Sequence, residues 1–219
     1  MSMNQLAGSR RFFFRQTAAM TAAFTGLGLF GEFTQAASDA DINILGPKPG
    51  YTPQIGTMVS MLTWMRRAVV EPVKGMSVKD LDHLFDARAN SIGALLLHLA
   101  ATETYYQLNT FQGMKWDSWP ETVKQKWDAA MNLGDAGRET IKGNDLQYYL
   151  EALKQTREKT LAEFRKRDDA WLMAVDQSWG WGPTNNYCKW FHVCEHESHH
   201  AGQIDMLKKR LPGAKPDAE

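Results

Sequence analysis

The sequence predicts an all-α protein, an up-down four-helix bundle with a short extra helical segment between the second and third helices. Three observations carry this. Apolar residues recur at spacings of three and four over four long stretches, the period of a helix with one buried face. Each stretch follows residues that favour helix N-caps. No convincing apolar/polar alternation marks a strand anywhere in the 219 residues, of which 43% are hydrophobic.

Residues 1–36 come first. Ser9-Arg10-Arg11-Phe12-Phe13-Phe14-Arg15 precedes an apolar, Ala/Thr/Gly-rich run from Thr17 to about Phe33, then Thr34-Gln35-Ala36-Ala37-Ser38. A basic, an apolar and a small-residue region in that order form a secretory signal. The segment resembles a twin-arginine export signal, Ser/Thr-Arg-Arg-x-Phe-Leu-Lys, with Phe14 for Leu and Arg15 for Lys. The apolar run is short and diluted for a bilayer span of ~20 residues, so no stable membrane anchor is expected. The expected location is exported, periplasmic or extracellular. The resemblance implies cargo exported already folded, often with a cofactor in place.

Residues 37–51 read as a linker, 52–213 as the bundle and 214–219 as a tail. In the first helix, Thr52-Pro53 opens the seam Ile55, Met58, Leu62, Met65 and Val69, which Pro72 and Gly75 stop. The second starts near Asn90-Ser91 and runs to about Asn109, with Ile92, Leu95, Leu96, Leu99 and Tyr106 on its apolar face. The extra segment falls around Glu121–Met131. The third helix starts near Asn144-Asp145 and carries Leu146, Leu150, Leu153, Leu161 and Phe164. The fourth runs from Thr184-Asn185 to Leu211, with Lys208, Lys209 and Arg210 in its last turn, where cations suit the helix dipole.

Composition excludes several function classes. Without residues 1–36 there are 22 basic and 24 acidic residues, a net charge of about −2. No basic surface suggests a nucleic-acid partner and no polybasic cluster a membrane surface. The only cysteines, Cys188 and Cys194, exclude a disulfide scaffold. On one helix their separation rises about 9 Å, beyond the ~7 Å reach of a disulfide. They are read as buried, reduced thiols.

Six histidines occur, and His192, His196, His199 and His200 crowd the fourth helix. Residues four apart lie one turn apart on the same face, so His192/His196 and His196/His200 are each pairs that could share a cation. A third ligand should come from another helix. His98 interrupts the apolar turn Leu95-Leu96-Leu97-His98-Leu99-Ala100 and is the candidate. Imidazole binds metal when neutral, so occupancy is expected to fall through roughly pH 6–7, near the usual pKa of ~6.5. His196-Glu197-Ser198-His199-His200 also matches the H-E-x-x-H pattern of zinc peptidases, with Glu197 as general base. Those enzymes take a third ligand downstream, where only Asp205, Asp217 and Glu219 offer carboxylates.

Two stretches resemble the DinB/YfiT-like family: Ser91-Ile92-Gly93-Ala94-Leu95-Leu96-Leu97-His98-Leu99-Ala100 with Glu103, and Glu195-His196-Glu197-Ser198-His199-His200-Ala201-Gly202-Gln203-Ile204. The resemblance covers most of residues 52–212. It implies a four-helix bundle with a divalent cation on His98, His196 and His200. It places His199 on another face, lets Gly202 permit close helix packing, and makes Gln203 an orienter of a ligand. Ala201 stands where members often carry Arg, and the Trp179-Gly180-Trp181-Gly182-Pro183 turn has no counterpart in the two motifs.

The resemblance further implies a metal-dependent enzyme, thiol-transferase-like or hydrolase-like, with open coordination positions for a small-molecule substrate. Zinc or nickel leads, with iron, manganese or copper as alternatives. The rival is a non-catalytic metal-binding or structural bundle, with the peptidase third. Glu103 and Glu197 are the acid/base candidates, or else bridging carboxylates. Trp179, Trp181 and Tyr187 are candidates for a pocket mouth. A homodimer is compatible with all of this, and an exported location counts against a cytosolic thiol cofactor.

Overall fold

The computed structural model describes residues 42–215. The export signal expected at 1–36 and the last residues of the tail lie outside them. The chain forms α1 (Pro53–Val70), α2 (Val78–Leu81), α3 (Ile92–Gln112), α4 (Glu121–Asn132), α5 (Gly134–Thr140), α6 (Leu146–Phe164), α7 (Asp169–Met173) and α8 (Asn186–Lys208). The four long helices of the expected bundle are α1, α3, α6 and α8, and the expected extra segment is α4. No described helix is long and apolar enough to cross a membrane.

The caps sit where the sequence places them. Ser91 Oγ accepts from Ala94 N, Asp145 from Tyr148 N and Asn185 from Cys188 N. The α1 start works differently. Thr52 makes no side-chain cap. Instead Asp169 Oδ1 accepts from the Thr52 hydroxyl at 2.5 Å and from the Gln54 and Ile55 amides at 3.1 and 3.2 Å. A carboxylate at a helix N-terminus also suits the dipole, so α7 anchors the start of α1.

Side-chain pairs fix the directions. Gly93 faces Tyr149, and the Gln107 amide donates to Thr156 O and Thr160 Oγ1, so α3 and α6 run the same way. His98 meets His196 while Lys189 donates to Asn109, so α3 and α8 run oppositely. Arg66 donates to Leu153 O and Arg157 to Leu62 O, so α1 and α6 are antiparallel. The bundle is therefore up-down-down-up rather than strictly alternating. The physical reason is the long connection 113–145, whose α4 and α5 return the chain to the end where α3 began.

Two features carried no sequence signal. α2 and α7 are single turns, too short for periodicity. Val175–Asp176 (β1) pairs antiparallel with Thr184–Asn185 (β2), a two-residue ladder too brief to alternate. It closes the Trp179–Pro183 turn. Cys194 is buried and Cys188 is exposed, both free, which corrects the expectation of two buried thiols. Cys188 lies in the first turn of α8.

Candidate metal centre

α3 is the central helix, buried along almost its whole length. His98 on it is 7% exposed and faces α8. His98 Nε2 lies 2.9 Å from His196 Nε2, which lies 3.1 Å from His200 Nε2. Ring nitrogens of His98, His196 and His200 all lie within 4.8 Å of one another. This group could hold a metal ion.

The hydrogen bonds behind the rings set the tautomers. His98 Nδ1 is 2.9 Å from the Ala130 carbonyl, which can only accept, so Nδ1 carries the proton. His200 Nδ1 is 2.8 Å from Gln203 Oε1 and donates likewise. In their neutral forms, both rings therefore turn an Nε2 lone pair toward His196 Nε2. That atom holds at most one proton, which can answer one of the two. A cation satisfies all three nitrogens at once. Two nitrogens each about 2.0–2.1 Å from one ion stand at most about 4.2 Å apart, and the observed 2.9 and 3.1 Å lie within that reach.

Electrostatics keeps the rings neutral. Burial first, then the neighbouring His200, His98, His192 and His199, push the His196 pKa down to about 3. Burial, then His98, pushes His200 down to about 4. Burial also lowers His98 against the bonds to Ala130 and Met131. Protons therefore compete for these nitrogens at a lower pH than for an ordinary histidine.

The remaining candidates separate cleanly. Gln203 is where the resemblance put it, and its amide nitrogen meets His199 Nε2 at 3.1 Å, holding that exposed ring away from the triad. His192 sits one turn before His196 and bonds Glu195 Oε1 through Nδ1 at 2.6 Å. His192, Glu195 and His196 form a second, more exposed group of potential ligands. Gly202 is exposed, and a Cβ there would meet nothing within 4 Å, so it permits no close packing. Gly93 has that role: a Cβ there would stand 2.7 Å from the Tyr149 hydroxyl.

Glu103 and Glu197 are bridging carboxylates. Glu103 is fully buried and bonds Arg157 at 2.7 Å, Arg66 at 2.8 Å and Thr160 at 2.6 Å. Burial works against its charge, but Arg157 and Arg66 outweigh that and leave its pKa below the ordinary carboxylate value. Glu197 Oε1 accepts from Arg66 and from Arg157 at 2.8 Å. A carboxylate bound by two guanidiniums is a poor general base, which removes the physical support for the peptidase reading. Arg66 and Arg157 were legible in principle. Each stands four residues after a seam leucine, Leu62 and Leu153, where an apolar residue is due.

A pocket of about 250 Å³ opens beside the triad, lined by His98, His196, Tyr106, Trp116, Trp179 and Trp181 among others. Trp179 and Trp181 are thus at a pocket as expected. Tyr187 instead packs against the core around Trp190. Trp116 and Met131 come from the connection that carried no family motif, so nothing in the sequence marked them.

The chain compares with known proteins as follows. A family model described as mycothiol-S-transferase matches residues 57–213. A solved structure described as the conserved protein of locus from Enterococcus faecalis aligns with TM-score 0.50 and 15% identity, covering 69% of this chain and 93% of that chain. That likeness is one of fold. No curated protein matches.

Proposed function

The chain belongs to the mycothiol-S-transferase family, a DinB/YfiT-like family, and on that premise we propose that it is a metal-dependent transferase joining a low-molecular-weight thiol to an electrophilic carbon. His98, His196 and His200 would hold the cation. Ala130 O and Gln203 orient two of the rings from behind. A divalent cation there would lower the thiol's pKa and present it as a thiolate. The thiol gives up its proton to solvent. Its sulfur lone pair forms the new S–C bond, and the bond to the leaving group breaks with its electrons. The observation carrying this reading is the set of inward-turned Nε2 lone pairs beside an open pocket.

The test compares metal-loaded and chelator-stripped protein for loss of free thiol in the presence of a neutral alkylating agent. Metal-dependent conjugation that His98→Ala abolishes supports the reading. Bound metal that raises the melting temperature but supports no conjugation with several thiols means a structural clamp. Metal-dependent release of acid from an ester in place of conjugation means a hydrolase.

Export through the segment at 1–36 is also proposed, on the strength of Arg10-Arg11 and the small residues after the apolar run. Cleavage is expected after Ala36 or Ala37. Lys at both arginines should trap a full-length precursor, and normal export of that variant would refute the reading.

A further inference from the structure

The pocket beside the triad has a distinctive lining. Besides the histidines it is walled by the rings of Tyr106, Trp116, Trp179 and Trp181 and by Met131. No side chain lining it carries a carboxylate, an ammonium or a guanidinium. Outside the lining, Lys189 lies 4.1 Å from the Trp179 ring centroid, but its amine is spent on Asn109 at 2.9 Å and Asp176 at 2.8 Å. Apart from a cation held by the triad itself, a charged group entering would lose water and find no fixed counter-charge among these side chains, which is costly.

The rings are held in place. Trp116 packs edge-on against Tyr106 and Trp179, at centroid distances of 5.2 Å to each. Trp181 stands edge-on to Trp179 at 5.5 Å. Such contacts leave aromatic surface pre-set to receive a flat apolar group. Volume sets its size. A cavity of ~150 Å³ takes benzene, so about 250 Å³ takes one larger ring system.

We propose that the acceptor substrate of this site presents an uncharged, flat, apolar group of about two fused rings, seated between Trp116, Trp181 and the triad. This rests on the thiol-transferase reading for its chemistry, though the pocket's selectivity can be measured without turnover. The electrophilic carbon is then borne by that ring system, next to His98 and His196, which also line the pocket.

The experiment is calorimetric titration of the full chain with three probes sharing one ring: naphthalene-1-methanol, 1-naphthoate and 1-naphthylmethylammonium. It is run on chelator-stripped protein, so that the anion cannot gain by metal ligation. The neutral probe should bind about tenfold or more tighter than either charged one. Trp181→Ala and Trp116→Ala should each weaken it about three- to tenfold. Both rings are partly exposed, at 59% and 38%, so these variants should fold. Phe191→Ala, at an exposed ring outside the pocket, should leave binding unchanged. Equal or tighter binding of a charged probe overturns the proposal, as does neutral binding indifferent to both tryptophans. Thiol conjugation of charged acceptors without neutral binding sinks this inference and keeps the proposed function. Selective neutral binding without any conjugation does the reverse.

Discussion

His196 is the pivot of the candidate centre, because its Nε2 is the atom both other rings address. Alanine at His98, His196 or His200 should each reduce bound metal sharply, since two imidazoles hold an ion weakly. Alanine at His83 or His199 should not. His192→Ala is the informative comparison: loss of metal there with retention in His200→Ala would move the site to the more exposed group with Glu195. Acid supplies a second measurement. In the metal-free fold His196 and His200 have pKa values pushed down to about 3 and about 4. The unfolded chain takes up protons at ~6.5. Between those values the unfolded state binds more protons, so stability rises with pH and is lost as pH falls from about 6.5 toward the folded values. The urea midpoint of stripped protein should therefore drop between pH 7.5 and 5, and His196→Ala should flatten that slope. An equally steep slope in the variant would mean that other groups carry it.

Helix contacts give a paired prediction at two glycines. Gly93 lets α3 approach Tyr149, which is fully buried and has nowhere to move. Gly93→Ala should destabilise by about 1–3 kcal/mol through overpacking. Gly202 is exposed on α8 and meets nothing, so Gly202→Ala should stabilise by about 0.5–1 kcal/mol through helix propensity. Denaturant titration of both variants decides it, and destabilisation by Gly202→Ala would contradict this packing. The same pair shows what the sequence could and could not say. Ser91, Asp145 and Asn185 announced three helix starts through local chemistry, and the periodic seams announced which faces pack. A glycine's neighbour is a tertiary fact, so spacing alone could not choose between Gly93 and Gly202. The histidine triad was legible because i, i+4 geometry is local and His98 broke an apolar run. The aromatic pocket was not, since Trp116 and Trp179 meet only after α4, α5 and the β1–β2 turn are in place.

Four helices meet at one buried ion network. Arg66 on α1, Glu103 on α3, Arg157 on α6 and Glu197 on α8 balance two guanidiniums against two carboxylates. Arg66 and Arg157 each also donate to a backbone carbonyl, Leu153 O and Leu62 O, while Glu197 Oε2 is buried without a partner. Desolvating such groups is costly, and the gain comes from their mutual pairing. The cluster therefore selects this arrangement of helices more than it adds net stability, and one of its members, Glu197, follows the candidate ligand His196 in sequence. Removing one member should be severe. Glu103→Gln leaves two guanidiniums facing one carboxylate and should destabilise by about 3–5 kcal/mol. Arg157→Met leaves two carboxylates facing Arg66 and should cost a similar amount. The double variant restores one charge against one, Arg66 against Glu197. Its loss should then be clearly smaller than the sum of the two single losses. Urea unfolding of stripped protein measures this without interference from bound metal, and the difference is the coupling energy. Strict additivity would mean that the four side chains stabilise the bundle separately, and that the network does not act as one unit.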